Sequence, residues 1–401
     1  MSRAVSRLAG REIAVVGAGV GGAAAALLLA RAGARVTLVE RVAAPKAVGA
    51  GILLQPNGLG VLYGLGLEAA LRAHGCVARH ATVADAAGRT IVRTPVPDFG
   101  AGLDHALCTR RSRLLDAMLD AVGREPRITV RFGVEVTAAW PDGRLAWSRA
   151  DGTAGELCAE LVVGADGIHS RIRDGGAFEA RRTPGQWNLR AIAPVPAEGG
   201  FVERWTPLGI CGEGPVDGGS YVYATMAAPE VRAAAEARDL ETLGRLYDRA
   251  CPPLARALGA IASGEDLLLN QVMRIDCARW ADGRLVLLGD AAHGMAPNLG
   301  QGANSALVDA ALFASMLAAD GVDAGPLSRW QRRRQPRVRR VQDVAGALAL
   351  VSNVRHAAVR RVRDGVLRAL ARLADGSRNV RRVQQEDPAA LRRMVQSLAA
   401  G

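Results

Sequence analysis

The stretch IAVVGAGVGGAAAALLLARAGARVTLVER, residues 13–41, decides the fold that the sequence predicts. It begins with a short β-branched run, which is typical of a strand buried on both faces. Gly17, Gly19 and Gly22 follow in the spacing G-x-G-x-x-G, and an Ala/Leu segment predicts a helix over residues 23–31. In such a turn the first glycine permits a tight bend and the second lets the backbone approach a pyrophosphate. The third lets the helix pack closely on the strand.

A second strand, predicted over residues 35–39, ends on Glu40, which lies 23 residues after Gly17. A carboxylate at that position can accept hydrogen bonds from a ribose 2′-hydroxyl, so the pattern favours FAD or NAD over a phosphorylated dinucleotide. Glycines and the charged pair Glu40 and Arg41 interrupt the apolar run, which argues against a membrane span or a signal peptide. The residues leave the choice between FAD and NAD open.

Length and composition are those of an ordinary globular protein. The 401 residues suggest two or three domains, or one large domain with an inserted one, and an apolar share of 49% is enough for a core. The six cysteines show no C-x-x-C pair and no spacing typical of a metal site. We therefore expect reduced thiols, no bound metal and a cytoplasmic location.

The net charge of +12 comes from the C-terminal part of the chain. Residues 329–393 contain 18 arginines and 5 acidic residues, and the remainder is close to neutral. A basic stretch can bind nucleic acid or an anionic membrane surface. The arginines are not interleaved with aromatic residues and no nucleic-acid-binding module is visible, so we expect a solvated helical face.

Two further stretches place polar residues at the ends of predicted buried strands. GADGIHSRIR, residues 164–173, follows a strand and leads into a short helix. GDAAHGMAPNLGQGAN, residues 289–304, also follows a strand and leads into a helix that starts near Asn304. Asp290 therefore stands at the carboxyl end of a parallel strand, where open α/β sheets bind ligands. The helix N-terminus beyond it can stabilise negative charge on a ligand.

The rest of the chain alternates between predicted strands and helices. GAGILLQPN, residues 49–57, combines Gly49 and Gly51, which permit close backbone approach, with the start of a helix. The pattern predicts a hairpin over 76–96 and one strand over 128–136. Recurring short strands over 187–225 predict a second, mostly antiparallel sheet.

In order and spacing, the three motifs resemble those of the group A flavoprotein monooxygenases, the FAD-dependent aromatic hydroxylases typified by para-hydroxybenzoate hydroxylase and salicylate hydroxylase. GAGILLQPN and the segment RSRL that begins at Arg111 fit the same family, and the resemblance covers about residues 10–345. It implies an α/β fold with a Rossmann-type FAD-binding domain, an interleaved substrate domain with a mostly antiparallel β-sheet, and C-terminal helices. The implied ranges are 10–75, 100–180 and 270–320 for the FAD-binding domain, 76–99 and 181–269 for the substrate domain, and 321–401 for the Arg-rich helices.

The resemblance also implies roles for individual residues. Glu40 and Arg41 would lie beside the adenosine of FAD, and the backbone of Val136 beside the adenine. Asp290 would hydrogen-bond the ribityl chain, and residues 297–304 would surround the flavin ring. The full set of expected cofactor contacts is Gly17, Gly19, Gly22, Glu40, Arg41, Gly51, Arg111, Val136, Asp166, Gly167, Gly289, Asp290, Pro297, Gly300, Gln301, Gly302, Ala303 and Asn304.

The implied chemistry has two halves. NADH or NADPH, as a transient co-substrate, reduces the flavin, and the reduced flavin takes up O2 to give a C4a-hydroperoxide that attacks an electron-rich substrate carbon. Pro297 is expected beside this peroxide, and His293 is expected to be scaffold rather than a general base. Arg190 is the first choice for orienting the substrate. The candidate substrate contacts are Arg190, Arg204, Cys211, Tyr221 and Tyr223, and for each of them a structural or solvent-exposed role is the alternative.

Other activities stay open at this point. Epoxidation or Baeyer–Villiger oxygen insertion would differ only in substrate, and a non-oxygenating FAD-dependent oxidoreductase is a more distant alternative. A halogenase is disfavoured because the W-x-W-x-I-P signature is missing. A non-catalytic, basic nucleic-acid-binding protein is the alternative from another class. The expected partners are a small-molecule substrate and O2, without nucleic acid or membrane insertion, for a monomer or homodimer.

Overall fold

The computed structural model of the chain describes residues 6–44, 50–373 and 376–398. Gly49 and the predicted loop at Pro45 lie outside the described residues. Within these ranges the chain forms two large sheets, two three-stranded sheets and fourteen α-helices, numbered in chain order.

Apolar runs form the middle of a six-stranded sheet with the order β18-β19-β12-β1-β2-β8. Its strands are β1 (Glu12–Val16), β2 (Arg35–Glu40), β8 (Ile128–Phe132), β12 (Leu161–Gly164), β18 (Ala281–Asp282) and β19 (Leu285–Leu287). All neighbouring pairs are parallel except β18 with β19. The carboxyl ends of β1, β12 and β19 therefore lie side by side at one edge, directly before the three sequence motifs.

A seven-stranded sheet has the order β17-β13-β16-β15-β14-β5-β6. Its strands are β5 (His80–Asp85), β6 (Thr90–Pro95), β13 (Ala180–Ala193), β14 (Val202–Thr206), β15 (Gly209–Val216), β16 (Gly219–Thr225) and β17 (Leu268–Cys277). Only β14 and β5 pair in parallel. One face of the sheet is covered by the helices α6 (Pro229–Glu236), α7 (Leu240–Asp248) and α8 (Pro252–Gly259), with which it shares a hydrophobic core.

The predicted α/β class, with a second and mostly antiparallel sheet, is confirmed. Strand β17 extends this second sheet across the expected segment boundary at residues 269 and 270. The division of the chain into domains at the residues given above stays a prediction.

Two small sheets contain the remaining strands of the described chain. One contains β3 (Gly51–Leu54), β4 (Cys76–Ala78) and β7 (Ala106–Arg110), and the other β9 (Glu135–Ala139), β10 (Arg144–Ser148) and β11 (Ala154–Cys158). The single strand predicted over residues 128–136 is wrong, because Gly133, with φ +67°, turns the chain between β8 and β9. The hairpin expected around Gly88 is present as β5 and β6.

Helices fill the remaining layers. They are α1 (Val20–Arg31), α2 (Pro56–Gly64), α3 (Glu68–His74), α4 (Arg111–Arg124), α5 (Arg171–Asp174), α9 (Asp290–His293), α10 (Gly302–Asp320), α11 (Ala324–Ser352), α12 (Ala357–Leu373), α13 (Gly376–Val383) and α14 (Pro388–Leu398). Helix α10 is long and apolar enough to cross a membrane, but 67% of that window is buried in the protein. It packs against α1, α2 and α11, so its apolar composition is that of a core helix.

Candidate functional site

The glycine-rich turn after β1 has the geometry that its spacing predicts. Gly17 has φ +99°, and a side chain there would meet the backbone of Ala165. A Cβ at Gly22 would collide with the carbonyl oxygen of Gly17, so only glycine lets α1 lie this close to the turn. At Gly19, by contrast, no atom of the described residues lies within 4 Å of the place of a Cβ. The turn therefore leaves open space at the N-terminus of α1, where a phosphate group can bind.

Glu40 ties the end of β2 to this turn. Its Oε2 accepts a hydrogen bond from the Ala18 amide at 2.7 Å, and its Oε1 accepts one from the Val42 amide at 3.0 Å. Each carboxylate oxygen retains a second lone pair for a ligand hydroxyl. The sequence predicted the position of this acid but not its contact with the turn.

A cavity of about 320 Å³ opens between the turn and the ends of the neighbouring strands. Five of the expected cofactor contacts line it, namely Gly17, Glu40, Arg41, Val136 and Asp166. His169 and Arg171 line it as well, although the sequence analysis assigned them no contact. The other expected cofactor contacts, including Gly51, Arg111 and those in residues 289–304, do not line this cavity.

Asp166 lines the cavity and also forms hydrogen bonds within the protein. Its Oδ2 accepts hydrogen bonds from the amides of Arg171 at 2.7 Å and Ile172 at 3.2 Å, which holds the start of α5. Its Oδ1 is buried and has no hydrogen-bond partner among the described residues. Burial raises the pKa of this carboxyl, and the hydrogen bonds oppose the rise. An unsatisfied buried oxygen on a cavity wall fits a site that binds a ligand hydroxyl or amide.

The third motif brings a third carboxylate, after those of Glu40 and Asp166, to the same edge. Gly289 has φ +63°, and Asp290 follows as the first, exposed residue of α9. A Cβ placed on Gly302 would lie 4.0 Å from Asp290 Oδ1, so the carboxylate faces the N-terminus of α10. No side chain caps that N-terminus and its first turn contains no acid. The space between them therefore offers a carboxylate on one side and helix amides on the other.

Replacing Asp290 by alanine tests the importance of this carboxylate. Because the side chain is exposed, we expect folding to be unaffected while affinity for FAD falls at least about tenfold through loss of a charged hydrogen-bond acceptor. The measurement is a fluorescence titration of the apoprotein with FAD, with exposed Asp343, on α11, replaced by alanine as the control. Full FAD occupancy on purification of Asp290→Ala would show that Asp290 does not hold the cofactor.

The loop 297–304 is fixed by its own polar side chains. Asn304 Nδ2 donates to the carbonyl oxygens of Leu53 at 3.0 Å and Gly300 at 2.7 Å, and Asn304 Oδ1 accepts from the Gln55 amide. Gln301 is fully buried and donates to Gln55 Oε1 at 2.7 Å. Both side chains are thus engaged within the protein, whereas Asn298 Oδ1, in the same loop, is buried and has no hydrogen-bond partner among the described residues.

Side chains of the C-terminal region hold the loop 297–304 in place. The sequence analysis did not predict these contacts. Gln385 Nε2 donates to Ser305 Oγ at 2.7 Å and to Gln301 Oε1 at 3.2 Å. Gln384 Nε2 donates to Gln55 Oε1, and its own Oε1 accepts from the Asn57 amide. No motif precedes or follows these glutamines, so only the tertiary structure brings them to the site.

His293 lies in the core behind the loop. Its Nε2 is hydrogen-bonded to Asp309 Oδ2, and Arg334 Nε donates to Asp309 Oδ1 at 2.7 Å. All three side chains are almost completely buried, and His293 also packs against the Trp280 ring. The network of His293, Asp309 and Arg334 therefore holds α9, α10 and α11 together.

The second sheet separates the expected substrate residues into two groups. Tyr221 and Tyr223 are partly exposed on one face, with ring centroids 5.5 Å apart, and Arg190 pairs with Tyr223 across β13 and β16. A Cβ at Gly51 would overlap the Tyr221 ring, so Gly51 serves to admit this ring against β3. We call the surface formed by Arg190, Tyr221 and Tyr223 the tyrosine face.

Arg204 and Cys211 lie on the opposite face of that sheet. The two residues pair directly across β14 and β15, and Cys211 also pairs with Ala224, whose side chain alternates with those of the tyrosines. Cys211 is fully buried against the helices that cover the sheet, and Arg204 forms an ion pair with Glu213 at 3.5 Å. The structure therefore does not bring these two candidates to the tyrosine face.

Glu203 joins the tyrosine face, although the sequence analysis did not single it out. Its Oε2 accepts a hydrogen bond from the Tyr223 hydroxyl at 3.0 Å, and its Oε1 accepts one from Trp205 Nε1 at 2.7 Å. Burial raises the pKa of this carboxyl, and the two hydrogen bonds oppose the rise. Strand alternation on β14 alone could not reveal this contact, because it depends on the register across three strands.

Comparison with known proteins gives consistent similarities. A family model described as an FAD binding domain matches residues 11–345. The chain is 36% identical over 359 residues to 3-amino-4-hydroxybenzoate 2-monooxygenase from Streptomyces cremeus, covering 84% of this chain and 86% of that protein. It is 32% identical over 346 residues to aurachin C monooxygenase/isomerase from Stigmatella aurantiaca, covering 84% and 88%. The tetrameric form of 2-methyl-3-hydroxypyridine-5-carboxylic acid oxygenase is similar in structure, with a TM-score of 0.74, 26% identity, and coverage of 92% of this chain and 98% of that one.

Proposed function

Because this chain belongs to the group A FAD-dependent aromatic hydroxylases, we propose that it uses FAD, NADH or NADPH, and O2 to hydroxylate an aromatic small molecule. One observation carries the proposal. The open glycine turn after β1, the unsatisfied Asp166 carboxylate after β12 and the exposed Asp290 after β19 meet at the carboxyl edge of one parallel sheet. This is the place where doubly wound sheets bind dinucleotides.

The residues at this edge fit the parts of FAD in order. The amides around Gly19 would bind the pyrophosphate, and Glu40 with Arg41 would contact the adenosine. Asp290 would accept hydrogen bonds from the ribityl hydroxyls. Bound there, FAD supplies the redox chemistry, accepting hydride from the nicotinamide and activating O2 for transfer of one oxygen atom to the substrate.

The N-terminus of α10 would stabilise the electron-rich state of the ring. The helix has 19 residues, no acid in its first turn and no side-chain cap, so its N-terminal amides and dipole favour negative charge in front of them. The locked side chains of Gln301 and Asn304 hold these amides in place. Pro297 is exposed at the start of the loop and would border the reacting edge of the ring.

The tyrosine face would bind the substrate. Two aromatic rings with a guanidinium beside them suit an aromatic ring that carries a carboxylate or phenolate. The relative from Streptomyces cremeus is named for such a substrate, an aminohydroxybenzoate. Since the Tyr223 hydroxyl donates to Glu203, its oxygen stays available to accept a hydrogen bond from a substrate hydroxyl. The Glu203 contact would thereby hold Tyr223 in the orientation that binds a phenol.

Replacing Arg190 by methionine is expected to raise the KM for an acidic aromatic substrate about tenfold to a hundredfold, because the change removes a charged hydrogen-bond donor of similar length. FAD affinity should stay the same, since Arg190 is expected to contact the substrate alone. Arg181 lies on the same strand, is largely exposed, and provides the matched control as Arg181→Met. An unchanged KM in Arg190→Met would remove Arg190 from the substrate site.

The proposed reaction is tested by product analysis with isotopically labelled O2. Each turnover would consume one substrate, one NAD(P)H, one proton and one O2. It would yield one hydroxylated product, one NAD(P)+ and one water. Aromatic acids and phenols that accelerate NAD(P)H oxidation should yield a product that contains one labelled oxygen. A labelled epoxide or lactone would identify the alternative oxygen insertions, and an oxidised product without label would identify a non-oxygenating oxidoreductase.

We further propose a cytoplasmic location. All six cysteines are free, and a reducing compartment keeps thiols in that state.

A further inference from the structure

The exposed large apolar side chains concentrate in one region of the described chain. Apart from Val77, all of them lie between Val344 and Leu373. Five of them, on α12, are 50 to 85% exposed: Val359, Val362, Val366, Leu370 and Leu373. Their spacing places them within about 80° of arc along roughly 21 Å of helix. We call this line of residues the α12 stripe.

Helix α12 is held so that the stripe faces outward. Arg368 Nη2 pairs with Asp85 Oδ2 at 2.6 Å, and Arg363 Nη1 donates to the carbonyl oxygens of Val351 and Ser352, each at 3.1 Å. Leu367 packs against the small core that contains Trp205. These contacts fix the rotation of the helix, so the exposure of the stripe is a property of the folded protein.

The charge around the α12 stripe is positive and unbalanced. Arg361 and Arg372 are exposed and have no ion-pair or hydrogen-bond partner among the residues that the structure describes. Asp364 is the single acid in α12, and it is buried and paired with Arg363 at 2.8 Å. The exposed side of the helix therefore combines apolar side chains with arginines and offers no acid.

We propose that the α12 stripe binds the interfacial region of an anionic lipid bilayer, with α12 lying parallel to the membrane plane. A helix with an apolar face bordered by arginines buries that face at the boundary of headgroups and acyl chains, while the arginines contact the anionic lipid headgroups. The binding is peripheral, without a membrane-spanning segment, and independent of the chemistry at the flavin site.

The positive charge on the exposed side of α12 favours an anionic bilayer over other partners of the α12 stripe. A second copy of this chain docked on the α12 stripe would bring the same arginines together, with no exposed acid on α12 to pair with them. Nucleic acid would meet the arginines but would leave the apolar stripe in contact with water and phosphate. An anionic bilayer satisfies both the apolar and the charged parts of the surface.

The test is co-sedimentation of the full-length, FAD-loaded protein with vesicles of phosphatidylcholine, with and without phosphatidylglycerol. We expect binding to the anionic vesicles, weaker binding at high salt, and little binding to phosphatidylcholine alone. The double variant Val366→Glu/Leu370→Glu should lower vesicle affinity at least about tenfold, because two apolar contacts are replaced by charges that the lipids repel. Both positions are exposed, so FAD content should not change.

Val77 supplies the matched control. It is 45% exposed but lies far from α12 in sequence, on β4, so Val77→Glu should bind vesicles as the unaltered protein does. Absence of binding to anionic vesicles would overturn the proposal. So would light scattering that shows a dimer converted to a monomer by Val366→Glu/Leu370→Glu, because the occupant would then be a second copy. Equal losses in the Val77 variant would also overturn it.

Discussion

Replacing Gly22 by valine is expected to yield a protein that no longer retains FAD, with an affinity loss of at least about a hundredfold or a failure to fold. A Cβ at this position would collide with the backbone carbonyl oxygen of Gly17, and backbone cannot move aside as a flexible side chain can. The start of α1 would have to shift away from the turn, which would displace the amides that we propose bind the pyrophosphate. The measurement is the flavin-to-protein absorbance ratio after purification and reconstitution.

Substitutions at two other glycines serve as controls for this prediction. Gly244, on α7, has no atom within 4 Å of the place of a Cβ and no positive φ, so Gly244→Ala should leave FAD binding unchanged and stability equal or slightly higher. Gly19 also has open space within the protein, but that space is where the pyrophosphate would bind. Gly19→Ala should therefore fold normally and bind FAD more weakly. Normal FAD content in Gly22→Val would contradict the assigned packing of α1.

Replacing Asp309 by asparagine is expected to lower the free energy of unfolding by about 3–5 kcal/mol, because it leaves the Arg334 guanidinium buried without its counter-ion. Arg334 and Asp309 are both completely inaccessible to solvent, and their pair joins α10 to α11. Arg334 also donates to Gln385, which in turn contacts Gln301 in the loop 297–304. Loss of the pair should thus loosen the loop as well as the core. Urea unfolding of the two proteins measures the difference.

The effect should depend on pH in a defined direction. Burial alone would raise the pKa of Asp309, but attraction to His293 and Arg334 and the hydrogen bonds from both lower it below its ordinary value. A carboxyl with a lowered pKa stabilises the folded state above the pKa of the unfolded chain, about 4. That contribution is lost as pH falls through the lower pKa of the folded state. The difference between the two proteins should therefore shrink in acid.

An exposed carboxylate on α11 provides the control for this prediction. Asp343 pairs with Arg274 at 2.8 Å, and its side chain is 66% exposed. Asp343→Asn should cost no more than about 1 kcal/mol, since exposed ion pairs contribute little. A loss in Asp309→Asn as small as that of the control would show that the buried pair is not needed for stability.

The sequence predicted the parts of the site that depend on local geometry. The glycine turn, the acid at the end of β2 and the polar residues after β12 and β19 follow from short-range patterns, because a turn after a buried strand restricts which residues fit. These features lie together at one edge of the six-stranded sheet because its central strands are parallel. These features could be recognised from spacing and from resemblance to a family.

The parts that depend on packing between distant segments could not be predicted in this way. Alternation within β16 correctly places Tyr221 and Tyr223 on one face, but the face taken by Cys211 depends on register with β15, which the sequence leaves open. The contact of Glu203 with Tyr223 has the same origin. Gln385 reaches Gln301, in the loop 297–304, across 84 residues of chain.

The arginine-rich C-terminal region differs from the solvated helical face that its charge predicts. Arg334 is fully buried as the partner of Asp309, and α12 exposes an apolar stripe rather than a continuous charged surface. Composition counts charges but does not assign them to faces, since one helix can bury an arginine and expose a valine. The helical structure itself agrees with the prediction.

The most direct test of the proposed function is the reduction of the protein's flavin by NADH and by NADPH without oxygen, with and without aromatic acids and phenols. The purified protein should carry FAD. One class of aromatic compound should accelerate its reduction, and admission of O2 should then return the oxidised spectrum together with hydroxylated product. A chain that binds no flavin after reconstitution, or whose reduced flavin reoxidises without product in the presence of every compound, would contradict the assignment as a hydroxylase.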